Sequence, residues 1–352
     1  MMRNFSYQAV ERVDSAVARH TEFATSAFLA GGTTLIDLIK LDVMRPEQVV
    51  DVNRLPLKRI DLLDDGRIRI GALVSNTELA HHPLIRARHP LLSAALLSGA
   101  STQLRNMATT AGNLMQRTRC AYFRDPTVPE CNKREPGSGC AALTGINRLH
   151  AVLGTSEHCV ATHPSDMCVA LAAIEGAVEV EGPAGKREVA LLDFHLLPGD
   201  TPEREHALEA DELITSVVLA PHLDSAGAHY LKLRDRASYE FALASCGVIL
   251  ALDGQRIGQV RIALGGVATK PWRAFEAEAS LVGVVPGRES FEQAARLALA
   301  HARALEHNAF KLPLARQAIV RALETALDDA QGGMSPPARS DTGAGSPAGD
   351  SP

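Results

Sequence analysis

The chain of 352 residues holds six cysteines, and five of them fall between positions 120 and 168. Four of these, Cys120, Cys131, Cys140 and Cys159, follow the spacing C-x10-C-x8-C-x18-C. Four thiolates satisfy either a tetrahedral zinc ion or a cubane iron–sulfur cluster. Zinc sites usually present C-x2-4-C pairs, which this spacing lacks, so the wide intervals suit a cluster held by a long loop. Between 114 and 140 the loop carries five Arg/Lys against three Asp/Glu, cations able to balance an anionic cluster. Buried free thiols are the plain alternative. The hydrophilic neighbours of Cys120, Cys131 and Cys140 argue against it, because inert cysteines prefer cores. Cys168 in MCVALAA and Cys246 in ALASCGVIL sit in apolar runs and read as core residues.

The second constellation is Ala27, Phe28, Leu29, Ala30, Gly31, Gly32, Thr33, Thr34 and Leu35. An apolar strand enters a Gly-Gly turn, two hydroxyl residues follow, and a helix begins. Glycines permit positive φ and close backbone approach. Successive N–H groups can then cradle phosphate oxygens, with hydroxyls and the helix start as further donors. The run is neither a Walker loop nor GxGxxG, and taken alone a structural turn is its plainer reading. ATTAGNL (108–114) repeats the combination, with Thr109 and Gly112 as donors to the same ligand or as a plain turn. In HPSD (163–166), Asp166 caps or opens an apolar helix, or meets a ribose or ribityl hydroxyl. In KLRDRASYEF (232–241), Lys232, Arg234 and Arg236 alternate along a strand, as a solvated face or as an anion or flavin contact.

Those residues need elements to position them. Helical periodicity marks 10–20, 90–99, 164–176, 290–305 and 312–330, and a helix capped by Ser75 or Thr77. Strands are expected near 25–30, 49–55, 68–73, 178–182, 188–194 and 212–219, with regular structure resuming at 150–156 after the cysteine loop. Pro, Gly and Ser gather at 220–229, a candidate boundary. Three successive strands follow, HYLKLRD, ALASCGVILALD and QVRIALGGV, and then helices, an α+β order. The last 21 residues contain 13 Gly, Pro or Ser and read as a disordered tail, 332–352.

Composition excludes several classes. Hydrophobic residues make up 46% and charged residues 22%, an ordinary globular balance. The net charge of −5 provides no basic field for nucleic acid, and one Trp and four Tyr leave little for base stacking. No apolar run is long enough for a membrane span. MMRNFSYQAVERVDSAVAR does not read as a secretory signal, so export would depend on a partner. The histidines show no HExxH, and there is no GxSxG elbow. No acid–base pair at a substrate pocket is legible, and no catalytic residue is assigned.

AFLAGGTTLIDLIKLDV, ATTAGNL, the cysteine loop, THPSDMCVALAA and KLRDRASYEFALAS, in this order, resemble the FAD-binding subunits of the molybdenum hydroxylases, relatives of xanthine dehydrogenase and aldehyde oxidoreductase. QRTRCAYFRD, CNKREPGSGCAAL and LGTSEHC resemble the extra segment that carries a [4Fe–4S] cluster in the bacterial periplasmic aldehyde oxidoreductase branch. The resemblance, over residues 3–328, implies a two-lobed FAD-binding domain of the vanillyl-alcohol-oxidase type at 1–222, with the iron–sulfur loop inserted at about 115–160. A small α+β domain like that of the carbon monoxide dehydrogenase flavoproteins would follow at 226–330. By the same resemblance, the run from Ala27 to Leu35 would embrace the FAD pyrophosphate, with Thr109 and Gly112 lining that pocket. Asp166 would meet the ribityl or ribose hydroxyls, and Ile214 and Lys232 would lie along the flavin ring and its polar edge. Cys120, Cys131, Cys140 and Cys159 would hold the cluster. The implied partners are a small [2Fe–2S] subunit and a large molybdenum-cofactor subunit in a heterotrimer. Electrons would pass from them through FAD to an external acceptor, in the periplasm by co-export or in the cytoplasm. A stand-alone flavin oxidase, or a non-enzymatic protein with a structural metal, is the alternative.

Overall fold

The computed structural model describes residues 3–224 and 226–332; beyond Gly332, the expected tail lies outside them. The first sheet comprises β1 (Ser6–Ala9), β2 (Ser26–Leu29) and β3 (Gln48–Asp51), in the order β1-β3-β2. Both pairings are parallel. Parallel neighbours need crossovers, and the helices Val13–His20 and Leu35–Lys40 supply them. Val49 and Val50 on the central strand are fully buried, as a strand covered on both faces requires. β1, an exposed edge with only four residues, is not legible in the sequence.

The second sheet comprises β4 (Ile60–Leu62), β5 (Ile68–Gly71), β6 (Gly176–Gly182), β7 (Gly185–Ala190) and β8 (Leu213–Leu219). It runs β4-β5-β8-β6-β7 with every pair antiparallel. The strand expected over 188–194 stops at Ala190, and Leu191–Phe194 forms a helical turn instead. Between β5 and β6 the chain inserts a helical layer and the cysteine segment. Ile68, Ile70, Val178 and Val217 pack against Leu92, Ala170 and Leu171 of the helices Pro90–Ser98 and Asp166–Ile174. Every residue of Asp166–Ile174 after the first is buried, because other elements cover all its sides.

The third sheet comprises β9 (Gly227–Leu233), β10 (Ala244–Asp253), β11 (Arg256–Gly265) and β12 (Trp272–Arg273), antiparallel in the order β12-β11-β10-β9. The helices Phe275–Leu281, Arg288–Ala298 and Lys311–Ala330 build a second core with it. The helix expected over 290–305 ends at Ala298. Beyond it, Asn308 Nδ2 donates to the carbonyls of His150 (3.3 Å) and Ala151 (3.2 Å), tying this domain to the end of the cysteine segment. At 150–156 there is no strand, only the bridge Leu153–Ala268.

Candidate functional site

The diglycine bend follows β2 directly, and its two glycines are needed for different reasons. A Cβ on Gly31 would stand 1.7 Å from the Met107 carbonyl oxygen, so only glycine lets the two backbones meet. Gly32 has φ +73, the left-handed region. Thr34 then precedes Leu35–Lys40, a helix of six residues, and makes no side-chain capping bond. ATTAGNL is not a plain turn: Thr109 Oγ1 accepts from Gly112 N (3.2 Å) and caps a short helix, Thr110–Leu114.

Two cavities meet at this bend, sharing Thr33, Thr34 and Gly112 in their walls. One, of roughly 440 Å³, is mainly apolar and includes Ala27, Phe28, Ala30, Leu35, Leu57, Leu73 and Ile214. The His20 ring stacks on Phe28 at 4.1 Å beside it. The other, of roughly 500 Å³, is more polar and includes Asp37, Arg119, Arg124, Asp166, Lys232 and Arg236. The structure therefore separates two residues that the resemblance put on one ring. Ile214 lines the apolar cavity and Lys232 the polar one. Thr109 is buried beneath and lines neither.

The polar cavity is organised by Asp166. Ser165, not Asp166, caps the helix, its Oγ accepting from Cys168 N at 3.1 Å. That leaves Asp166 free to accept from Tyr230 OH (2.7 Å) and Lys232 Nζ (2.8 Å). Tyr230 and Lys232 are two apart on β9 and so share a face. Lys232 and Arg234 both donate to the Ser98 carbonyl, at 3.2 and 3.0 Å, and the Lys232 side chain is only 4% exposed. The expected basic face is thus a packed contact between domains. Arg236 lies past the end of the strand.

The four cysteines line one small enclosure together with Tyr122, Phe123, Ala142 and Ala161. None is in a disulfide. The backbones of Cys131 and Cys140 form an antiparallel bridge. Ala161 N donates to Cys159 Sγ at 3.5 Å, and backbone donors near Tyr122 and Phe123 face Cys120. His150 Nε2 lies 3.1 Å from Cys120 Sγ. Burial pushes the Cys120 thiol up to about 12 and that of Cys159 to about 11, partly offset at Cys159 by the charge of Lys133. Among the described residues, no three of these sulfurs lie within 4.8 Å of one another. Thiolates on one tetrahedral zinc stand about 3.8 Å apart, given Zn–S bonds of ~2.3 Å. The set is too open for one such ion. Cys168 and Cys246 are buried in the two main cores, as their apolar neighbours predict.

Four of the cations that the sequence offered as balance for a cluster, Arg117, Arg119, Arg124 and Lys133, pair instead with carboxylates of other segments. Asp37 Oδ2 accepts from Arg119 (3.2 Å) and Arg124 (2.8 Å). Glu205 pairs with Arg117 and with Lys133 (3.0 Å). Burial pushes the Glu205 carboxyl up, but Arg117 and Lys133 outweigh it and hold the group below the usual carboxylate range. Such pairs join residues many tens of positions apart, and no local spacing announces them.

A two-domain α+β protein with a bipartite, dinucleotide-sized cleft is the class that this fold and site define. A family model for the FAD binding domain in molybdopterin dehydrogenase matches residues 3–222, and one for the CO dehydrogenase flavoprotein C-terminal domain matches 229–326. The chain is 48% identical to the aldehyde oxidoreductase FAD-binding subunit PaoB of Escherichia coli over 92% of this chain and 99% of that protein. It is 28% identical to the carbon monoxide dehydrogenase medium chain of Hydrogenophaga pseudoflava, over 92% of this chain and 96% of that one. The solved carbon monoxide dehydrogenase of the same organism superposes with a TM-score of 0.74 at 27% identity, covering 94% of this chain and 99% of that chain. The chain belongs to the FAD-binding subunits of the molybdenum hydroxylases, an oxidoreductase family. Among the described residues, no helix is long and apolar enough to cross a membrane.

Proposed function

We propose that this chain is the electron-transfer subunit of a molybdenum-dependent aldehyde oxidoreductase, holding FAD in the bipartite cleft and a [4Fe–4S] cluster on Cys120, Cys131, Cys140 and Cys159. Its partners are a small [2Fe–2S] subunit and a large molybdenum subunit. The 48% identity to an aldehyde oxidoreductase subunit over nearly its whole length supports the substrate class. When bound, FAD supplies two-electron chemistry and the cluster one-electron transfer, which together suit a relay to an external acceptor.

The observation that carries the FAD reading is the meeting of two cavities at Thr33, Thr34 and Gly112. A dinucleotide has two flat ring systems joined by a pyrophosphate, and the bend lies where that link belongs. Backbone N–H groups and the hydroxyls of Thr33 and Thr34 hold the phosphates. The apolar cavity, with Phe28 and Ile214, suits the adenine, whose burial needs few polar partners. The polar cavity suits the flavin. There Asp166 orients Lys232, whose charge favours electron density at the ring's polar edge. Apolar Phe123 and Ala142 exclude water from the cysteine enclosure, while Lys133 and the backbone donors stabilise thiolate charge. Four free thiols too widely spread for one tetrahedral ion match a polynuclear group.

The test is composition. The complex, isolated anaerobically, should carry about one FAD and four irons on this chain, with flavin bands over a broad iron–sulfur shoulder. Gly31→Val should lose FAD and keep iron, and Cys131→Ser should do the reverse. Aldehyde should reduce the flavin only when the partner subunits are present. A complex with no iron on this chain would refute the cluster, and FAD retained in full by Gly31→Val would refute the cleft.

A further inference from the structure

A third cavity, of roughly 180 Å³, shares no wall with the two described above. It lies where the two domains touch, between the start of the helix Pro90–Ser98 and the third sheet. Four features converge on it. His89 is only 4% exposed, and its Nε2 has no hydrogen-bond partner among the described residues. His89 is also the residue before the helix and makes no side-chain cap. The helix opens on Pro90, which has no N–H, and Leu92 N and Ser93 N bond the His89 carbonyl, so Leu91 N is the one first-turn donor left, at the positive end of the dipole of this nine-residue helix. Arg88, partly buried in the wall, makes no ion pair or hydrogen bond among the described residues. Arg261 reaches the wall from β11, partly compensated by the Ile174 carbonyl (2.7 Å) and Glu175 (3.4 Å). Leu91, Ile174 and Ile249 add apolar surface to the lining.

Burial, together with the charges of His222, Arg88 and Arg261, pushes the His89 imidazole down to about 4. It is therefore neutral near pH 7 and can donate through an Nε2–H. A buried donor left without an acceptor is costly, and the unpaired guanidinium of Arg88 facing the same space calls for negative charge. The apolar walls limit what can carry that charge. A small inorganic anion would leave Leu91, Ile174 and Ile249 uncovered, whereas a molecule with an apolar body would bury them.

We propose that this interdomain cavity binds a small organic carboxylate, its headgroup held by His89 and Arg88 and its body against Leu91, Ile174 and Ile249. The site is separate from the FAD cleft and the cysteine enclosure, and its failure would leave the function proposed above untouched. Calorimetric titration of the full chain with benzoate, at constant ionic strength near neutral pH, tests it, with inorganic phosphate as comparison. Benzoate should bind once per chain, and both Arg88→Met and His89→Phe should weaken it by about tenfold or more. Arg88 is at a helix end outside the core, so Arg88→Met keeps the test meaningful if His89→Phe does not fold. Absence of benzoate binding, equal binding by folded Arg88→Met, or tighter binding of phosphate than of benzoate would each overturn the proposal.

Discussion

Lys232 shows how far a single residue's neighbours can differ from what its sequence suggests. Alternation placed it on one strand face, and that holds, but the face turns inward. Its ammonium meets Asp166 and the Ser98 carbonyl, with the two side chains 4% and 10% exposed. Removing one member of such a pair leaves an unpaired buried charge. Lys232→Met should therefore destabilise the chain by about 3–5 kcal/mol in urea unfolding. The pair Lys232→Met/Asp166→Asn should recover part of that loss, since no charge is then stranded. In the FAD-loaded complex Lys232→Met should also lower the flavin potential, read by redox titration. A single variant as stable as the parent would show that the pair is solvated. The motif residues were legible here because their types are chemically narrow: adjacent glycines, a hydroxyl pair, an acid at a helix start. Their partners were not. Tyr230 and the Ser98 carbonyl come from distant segments, and nothing near Asp166 names them. Ser165 took the cap that Asp166 could equally have made, because both residue types cap well and tertiary pairing decided.

At the scale of elements, long periodic segments were readable and short ones were not. β10, β11 and the helix Lys311–Ala330 lie close to where alternation and helical spacing put them. β1, β4 and the helices Pro83–Arg88 and Thr102–Met107 are three to six residues long, too short for a period to show. The cysteine segment is the other blind spot. It has no repeat because local bonds to side chains hold it, rather than a ladder. Arg134 is its central strut. Its guanidinium donates to the carbonyls of Tyr122 (2.8 Å), Phe123 (3.0 Å) and Asp125 (3.1 Å), and to that of Val128. Asn132 adds bonds to Gly139 N (2.9 Å) and the His158 carbonyl (3.0 Å). These bonds give the segment a scaffold made of its own residues. Arg134→Leu takes the donor from four mostly half-buried carbonyls and should cost about 1–3 kcal/mol. Limited proteolysis should then cut between 115 and 160 while both domains stay intact. Cys140→Ser, which removes a thiol and keeps Arg134, should leave that segment far more resistant. Equal cleavage of the two variants would mean that metal, not the guanidinium, holds the loop.

The whole molecule carries a distributed sensitivity to acid. His89 sits where the domains meet, His150 at the end of the cysteine segment, and His195 beneath the second sheet, where its Nε2 bonds the Leu114 carbonyl at 3.0 Å. Burial pushes all three imidazoles down to about 4. The unfolded chain has them near the ordinary ~6.5. Between those values the unfolded state binds protons that the folded state refuses. The contribution is therefore complete above pH ~6.5 and disappears as pH falls towards ~4. Each group is worth up to about 3 kcal/mol over that interval, and the three together about 9. Domains of this kind hold only about 5–15 kcal/mol in total, so the apo chain should fail before pH ~4. Urea midpoints measured from neutral pH downward should be flat at first and then drop steeply, with a slope near 4 kcal/mol per pH unit around pH 5. FAD binds only the folded state, so saturating FAD should shift the drop to lower pH without abolishing it. A midpoint that stays level down to pH ~4.5 would show that these imidazoles reach solvent and charge freely in the folded chain.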